Sequence, residues 1–244
     1  MRVLALALLL LLCAPMSVWA GGSTTAAAEQ AAAAGNYQLA AQNYEQVLQR
    51  NGFSAPVLFN LGNAWLRLGR PARAILNYER ALLLAPRSAA IEANLATAQQ
   101  RAGLAPVTVG PWLAAARYFS FDTYAWAALG AVWVLCVALV LLSLNGTARR
   151  MARPLILAAA VTLCVSADAA ALCWSDQYRA VVVQGPAVLH LAPAASAVAS
   201  GALRDGEVVW LQDRYADFNF VRTADGHTGW VSADTALPVR VSRP

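Results

Sequence analysis

Apolar residues between positions 24 and 103 recur at helical spacing, in short amphipathic runs separated by small or turn-forming residues. The clearest run holds Leu58, Leu61, Trp65 and Leu68, and the next holds Ala74, Tyr78, Ala81 and Leu82. Gly35, Gly69 and Gly103 each close a run, and they stand 34 residues apart. Two long apolar stretches follow, at 121–144 and 154–174. Beyond residue 175 the pattern shortens to β-type runs at 180–183, 188–191, 207–211, 218–221 and 229–231. Gly185-Pro186, Asp205-Gly206 and Asp225-Gly226 supply the turn chemistry between them. Helix pairs, two spanning helices and a five-stranded small barrel are therefore expected, in that order.

The period extends beyond the glycines. Ala40 returns as Ala74, Tyr44 as Tyr78, Leu48 as Leu82, and Asn60-Leu61 as Asn94-Leu95. Thirty-four residues is the length of one tetratricopeptide unit, a helix pair that must stack on its neighbour to bury its apolar face. The repeat region is placed at 24–103, with a degenerate first opening helix and a capping helix at 88–102. Small residues at Gly62, Ala74 and Ala81 predict close helix approach, with Trp65 and Tyr78 filling the space between.

The two apolar stretches are long enough to cross a hydrocarbon core, which takes about 20 helical residues. Each carries one acid, Asp122 and Asp168. Arg149, Arg150 and Arg153 stand between them in the expected loop 145–153, which holds no acid. Positive loops stay cytoplasmic, so both flanking soluble units are expected outside. Residues 1–20 read as a secretory signal, Arg2 before an apolar run and Val18-Trp19-Ala20 at its end, cleaved after Ala20 or retained as an anchor. That independently requires an exported N-terminus. Residues 104–120 read as a linker and a membrane-surface segment bearing Trp112, Tyr118 and Phe119.

Composition agrees with a membrane protein: 59% of residues are hydrophobic. The net charge of +5 is carried by arginine, with no lysine and no basic stripe, which argues against nucleic acid. The four cysteines all lie in apolar stretches, so the soluble units have no disulfide framework and no cysteine metal site. His190 and His227 lack a cysteine or carboxylate at ligand spacing, and neither a phosphate loop nor a serine elbow occurs. No catalytic residue, metal or cofactor is expected. The chain reads as a binder and not an enzyme.

Residues 178–240 resemble a bacterial SH3-type domain. Val188-Leu189-His190-Leu191-Ala192-Pro193, Leu203-Arg204-Asp205-Gly206-Glu207-Val208 and Asp225-Gly226-His227-Thr228-Gly229-Trp230-Val231 carry the likeness. His190 replaces the usual arginine, and Phe218 stands for the usual tryptophan after the distal turn. The full order of segments resembles the BatE-type aerotolerance family. Asn60-Leu61-Gly62-Asn63-Ala64-Trp65 and the stretch from Gly69-Arg70-Pro71 to Ala85-Pro86-Arg87 are the strongest local match. That resemblance implies an inner-membrane group with von Willebrand A-type proteins and a MoxR-type ATPase, and supplies no biochemical activity.

The concave face of such an array is lined by the first helix of each pair. Phe59, Asn60, Asn63, Leu66, Arg67 and Asn94 are the expected peptide-contacting residues there. Amide side chains match the donors and acceptors of an extended peptide backbone. The same asparagines could instead bridge neighbouring helices. In the β unit, Trp210, Tyr215, Phe218, Phe220 and Trp230 form a candidate aromatic surface, with at least two of them expected in the core. Asp168 within a span is either functional or turned outward or protonated. Two functions are compatible with this pattern: a periplasmic scaffold recruiting proteins, and an envelope sensor whose barrel binds cell-wall peptide.

Overall fold

The computed structural model describes residues 22–105, 121–143, 147–176 and 178–240. The expected signal segment and the membrane-surface stretch around Trp112 lie outside the described residues.

The repeat region forms five helices: α1 (Gly22–Ala33), α2 (Tyr37–Asn51), α3 (Ala55–Arg67), α4 (Pro71–Leu84) and α5 (Ala89–Arg101). Each packs on the next in sequence. Gly35, Gly69 and Gly103 adopt φ of +77°, +68° and +69°, the left-handed region that a Cβ disfavours. At each, the following N–H reaches back to a carbonyl of the preceding helix: Asn36 to Ala31, Arg70 to Trp65, and Leu104 to Gln99. These are three copies of one helix-stop motif, and they are the physical cause of the 34-residue period. Asn36 then caps α2 by accepting from the Leu39 N–H at 3.1 Å, and prolines open α3 and α4 in their first turns.

Leu58, Ile75 and Tyr78 are fully buried where α3 crosses α4. Gly62 is fixed by that crossing, because a Cβ there would lie 2.5 Å from Cε1 of Tyr78. Trp65 packs in the same core, as its spacing predicts.

The C-terminal unit holds seven strands among the described residues: β1 (Arg179–Val182), β2 (Ala187–His190), β3 (Ala199–Leu203), β4 (Val208–Tyr215), β5 (Phe218–Arg222), β6 (Thr228–Ser232) and β7 (Ala236–Pro238). They form one antiparallel sheet in the order β3-β2-β6-β5-β4-β1-β7, which does not close. The expectation of five strands in a barrel is corrected on both points. β3 (Ala-Ser-Gly-Ala-Leu) has small, exposed residues at its first four positions, with only Leu203 buried, and β7 is a three-residue edge ending in proline. Both form because neighbouring strands supply partners, not because their own residues favour extension. One face of the sheet buries Val182, Leu189, Leu203, Val209, Val221 and Val231 in its own core.

Helices α6 (Phe121–Ser143) and α7 (Thr147–Asp176) pack against each other as a hairpin. Within them, Asp122–Leu142 and Ala152–Leu172 are long and apolar enough to cross a membrane. Their seam is built from small residues: Ala131 and Ala138 on α6, and Ala152, Ala159 and Ser166 on α7 are all buried. The members on each helix recur every seventh residue, the spacing that keeps one stripe against a neighbour, and small side chains let the backbones approach. The expected loop 145–153 is shorter than predicted, since α7 already begins at Thr147. The arginines thus sit in the first turns of a helix, where the dipole disfavours cations.

Candidate functional site

α3 carries Phe59, Asn60, Asn63, Leu66 and Arg67, and α5 carries Asn94. The hydroxyl of Tyr78 donates to Oδ1 of Asn63 at 2.7 Å, and Nδ2 of Asn94 donates to the same oxygen at 2.8 Å. One repeat earlier, Tyr44 shares a side-chain hydrogen bond with Asn60. The sets are related by the 34-residue step, Tyr44 to Tyr78 and Asn60 to Asn94. The asparagines thus tie three successive helices together through a buried tyrosine. Burial pushes the Tyr78 phenol up to about 12, opposed by its hydrogen bond with Asn94 and by the charge of Arg101. Tyr44 is raised by burial and then by Glu29, and lowered by Asn60. With those amides engaged, the accessible members of the expected set are Phe59, half-buried beside Tyr78, the half-buried Leu66 and the exposed Arg67.

The array does not stand apart from the sheet. Strand β1 is buried at every position because it is covered on two sides. Ala180 and Val182 face the sheet's own core, while Val181 joins the helical core with Val208 and Val239. Arg179, on the same side as Val181, forms an ion pair with Glu79 of α4 at 2.9 Å, with side chains only 6% and 5% exposed. Arg80 of α4 donates from Nη2 to the Pro238 carbonyl at 2.9 Å. Gly206 seats the β3–β4 turn against α4: its φ is +86°, and a Cβ would come within 2.8 Å of Ile75. Residues 177 and 178 alone separate α7 from β1, so the sheet is tethered more tightly than its sequence pattern predicts.

Glu79, Arg80 and Arg179 join the array to the sheet, and the sequence reading missed all three. An acid and an arginine on a repeat's second helix look like ordinary solvated charges. The arrival of β1 buries Glu79, while Arg80 stays partly exposed and reaches β7.

The aromatic residues of the sheet lie together, with one correction. Trp210 pairs in register with Arg222, Tyr215 with Phe218, and Phe220 with Trp230. Directly opposed residues share a face, and each of these five aromatics is partly exposed. None is in the core, contrary to the expectation that at least two would be. The inward positions are filled by Val209, Val221 and Val231 instead. Phe220 and Tyr215 pack on Trp230, with ring centroids 5.1 and 6.5 Å away. This is the same face that docks the array at β1, because Trp210 lies opposite Arg179 on its other side. Half of the face is therefore covered by helices and half presents aromatic rings.

His190 pairs in register with Trp230, and its Nδ1 lies 2.9 Å from the Ala197 carbonyl. His227 is exposed in the turn before β6. No group of three metal-ligating side chains occurs among the described residues. In the hairpin, Arg150 and Arg153 are exposed, and the side chain of Arg149 lies outside the described residues. Asp168 is exposed, while Ser166 and Ala169 on either side of it are buried in the seam. It lies away from α6, on a stripe with Val161, Val165 and Leu172.

No curated protein and no solved structure matches the chain. Residues 55–88, which hold α3, α4 and the turn after them, match the tetratricopeptide repeat family.

Proposed function

We propose that this chain is a non-enzymatic scaffold of a bacterial inner membrane, with its helical array and its sheet in the periplasm. The observation that carries the reading is the docking of a protein-interaction repeat onto the sheet through the buried Glu79–Arg179 pair. That contact, together with the short link from α7 to β1, makes the two soluble units one rigid platform above the hairpin. The three arginines near the start of α7 support the orientation. The sheet is an SH3-type module in this reading, supported by the β4-β5-β6 meander, the Asp225-Gly226 turn and the outward Trp230. Its partners are von Willebrand A-type membrane proteins of a Bat-type, MoxR-associated assembly serving envelope stress or aerotolerance.

Crosslinking in native membranes followed by capture of the full chain tests the reading. Von Willebrand A-type membrane proteins should be recovered with the native chain and lost with the double variant Phe59→Ala/Arg67→Glu. Recovery of no membrane protein, or an unchanged set from the variant, would count against it. A second reading, an envelope sensor binding cell-wall peptide, is favoured by the Tyr215–Trp230–Phe220 surface. It requires saturable quenching of tryptophan fluorescence by purified muropeptides.

A further inference from the structure

Asp168 stands inside the second apolar stretch, four residues before its end at Leu172, about 6 Å of helix rise. Trp174, six residues on, is exposed and meets Tyr178 edge-on, with ring centroids 6.1 Å apart. Aromatic rings just past an apolar stretch mark the level of the headgroups, so Asp168 lies about 9 Å beneath it. Cα–Cβ bonds tilt toward the N-terminus of their helix. In α7 that direction leads from Asp168 toward the middle of the stretch, so this short side chain starts out away from the nearer interface.

The carboxylate has no counterpart within the chain. It lies on the side of α7 away from α6, and no hydrogen bond or ion pair joins it to another described residue. Neither 121–144 nor 154–174 contains a lysine, arginine or histidine. Arg153, the nearest cation before it in sequence, is about 22 Å away along α7. Arg179, the nearest after it, is held by Glu79. A second copy inserted the same way would bring the same acid to the same depth, and like charges repel.

A charged side chain in a hydrocarbon core pairs with an opposite charge or lines a watery cavity. The surroundings of Asp168 favour pairing. The hydroxyl of Thr162 donates to the Ala158 carbonyl at 2.9 Å and Ser166 is buried in the seam, so no polar lining accompanies the carboxylate. Leu157, Val161, Val165 and Leu172 on the same side are exposed and apolar. With Asp168 they recur every three or four residues, a ridge suited to packing against another helix.

We propose that this face of α7 docks a membrane-spanning helix of a second protein, whose lysine or arginine forms an ion pair with the Asp168 carboxylate. Charge decides the occupant: another copy brings only another acid, and lipid tails bring no donor. The inference rests on the reading of the hairpin as membrane-spanning. It adds to the scaffold a contact within the bilayer, separate from Phe59 and Arg67 of the array.

The test uses the full chain in phosphatidylcholine vesicles, labelled at its C-terminus, with a labelled synthetic leucine–alanine helix of about 20 residues. One version of the helix is wholly apolar, and the other carries a single lysine a turn inside one end. Energy transfer should show the lysine helix associating about fivefold or more tightly than the apolar one, the scale of a polar contact between spanning helices. Asp168→Leu should abolish that preference and Asp168→Glu should keep it. Exchanging the charges, Asp168→Lys against a helix with glutamate in place of lysine, should restore it, which a misfolded chain could not do. Equal association of the two helices, or a lysine preference that survives Asp168→Leu, would overturn the proposal. So would energy transfer between differently labelled native chains that Asp168→Leu removes, which would give the face to a second copy. Loss of the preference when phosphatidylethanolamine is added to the vesicles would assign the carboxylate to lipid ammonium groups and overturn it too. Alkaline carbonate extraction of native membranes checks the spanning reading separately. A chain released by carbonate would end both readings, whereas a retained chain with no lysine preference would end only the contact at Asp168.

Discussion

Glu79 and Arg179 meet at 2.9 Å with both side chains buried, although one belongs to a repeat helix and the other to the first strand of the sheet. Their pairing joins two modules that flank the apolar helical hairpin in the sequence. Removing one partner leaves an uncompensated buried charge, which typically costs about 3–5 kcal/mol. Glu79→Ala is expected to lower the melting temperature of the full chain markedly. Glu79→Met/Arg179→Met should recover most of the loss, since replacing both charges by apolar groups is often neutral. Additive losses in a thermal double-variant cycle would show that the two residues do not act as a pair.

Packing of α3 on α4 depends on a missing side chain. With Cε1 of Tyr78 2.5 Å from where a Gly62 Cβ would stand, Gly62→Ala must push the ring or the helix aside. Overpacking of this kind costs about 1–3 kcal/mol. Trp65→Ala removes a buried aromatic from the same crossing and should cost about 3–5 kcal/mol. Chemical denaturation of the full chain measures both, and a neutral Gly62→Ala would mean that the crossing is looser than described.

The tyrosine–asparagine network makes a pH prediction. The folded-state pKa of Tyr78, about 12, lies above its ordinary value of 10.0, so the folded chain holds this proton more tightly than the unfolded chain. The stability this contributes is complete below pH 10 and is lost as pH rises through 12. The native chain should therefore be more stable than Tyr78→Phe near neutrality, by about 0.5–1.5 kcal/mol for the lost hydrogen bond. That advantage should shrink between pH 10 and 12. Parallel denaturation curves in which the difference stays constant across that window would contradict it.

Topology can be tested without purification. A reporter active only in the cytoplasm should be active when inserted near Gly146 and silent when fused after Pro244. The reverse pattern would invert the orientation and remove the periplasmic scaffold with it.

The helical repeats were legible because their signals are local. A left-handed glycine after α1, α3 and α5, a tyrosine and an asparagine in step, and Gly62 at the α3–α4 crossing are all set by sequence neighbours at fixed distance. The two apolar helices were legible for the same reason, since length and hydropathy alone define them. The sheet was read less well. Its strong strands were found within a residue or two of their starts, while β3 and β7, held by partners, left no local trace. The aromatic residues were identified, but their face was not, because a bulge between Leu211 and Asp213 keeps Trp210 and Tyr215 on the same side.

By itself, then, the sequence determined the order of modules, the stacking of the helix pairs and the residues that pack between them. The tertiary structure alone decided that Asn63 and Asn94 serve the scaffold and that the five aromatics share an outer face. It alone buried Glu79 and Arg179 at one seam and set the partly exposed Arg80 at its edge, beside a cleft between the units. The reason is one of range. Helix stops and apolar periodicity are energies within a few residues of each other, whereas burial of a charge depends on which distant surface arrives to cover it.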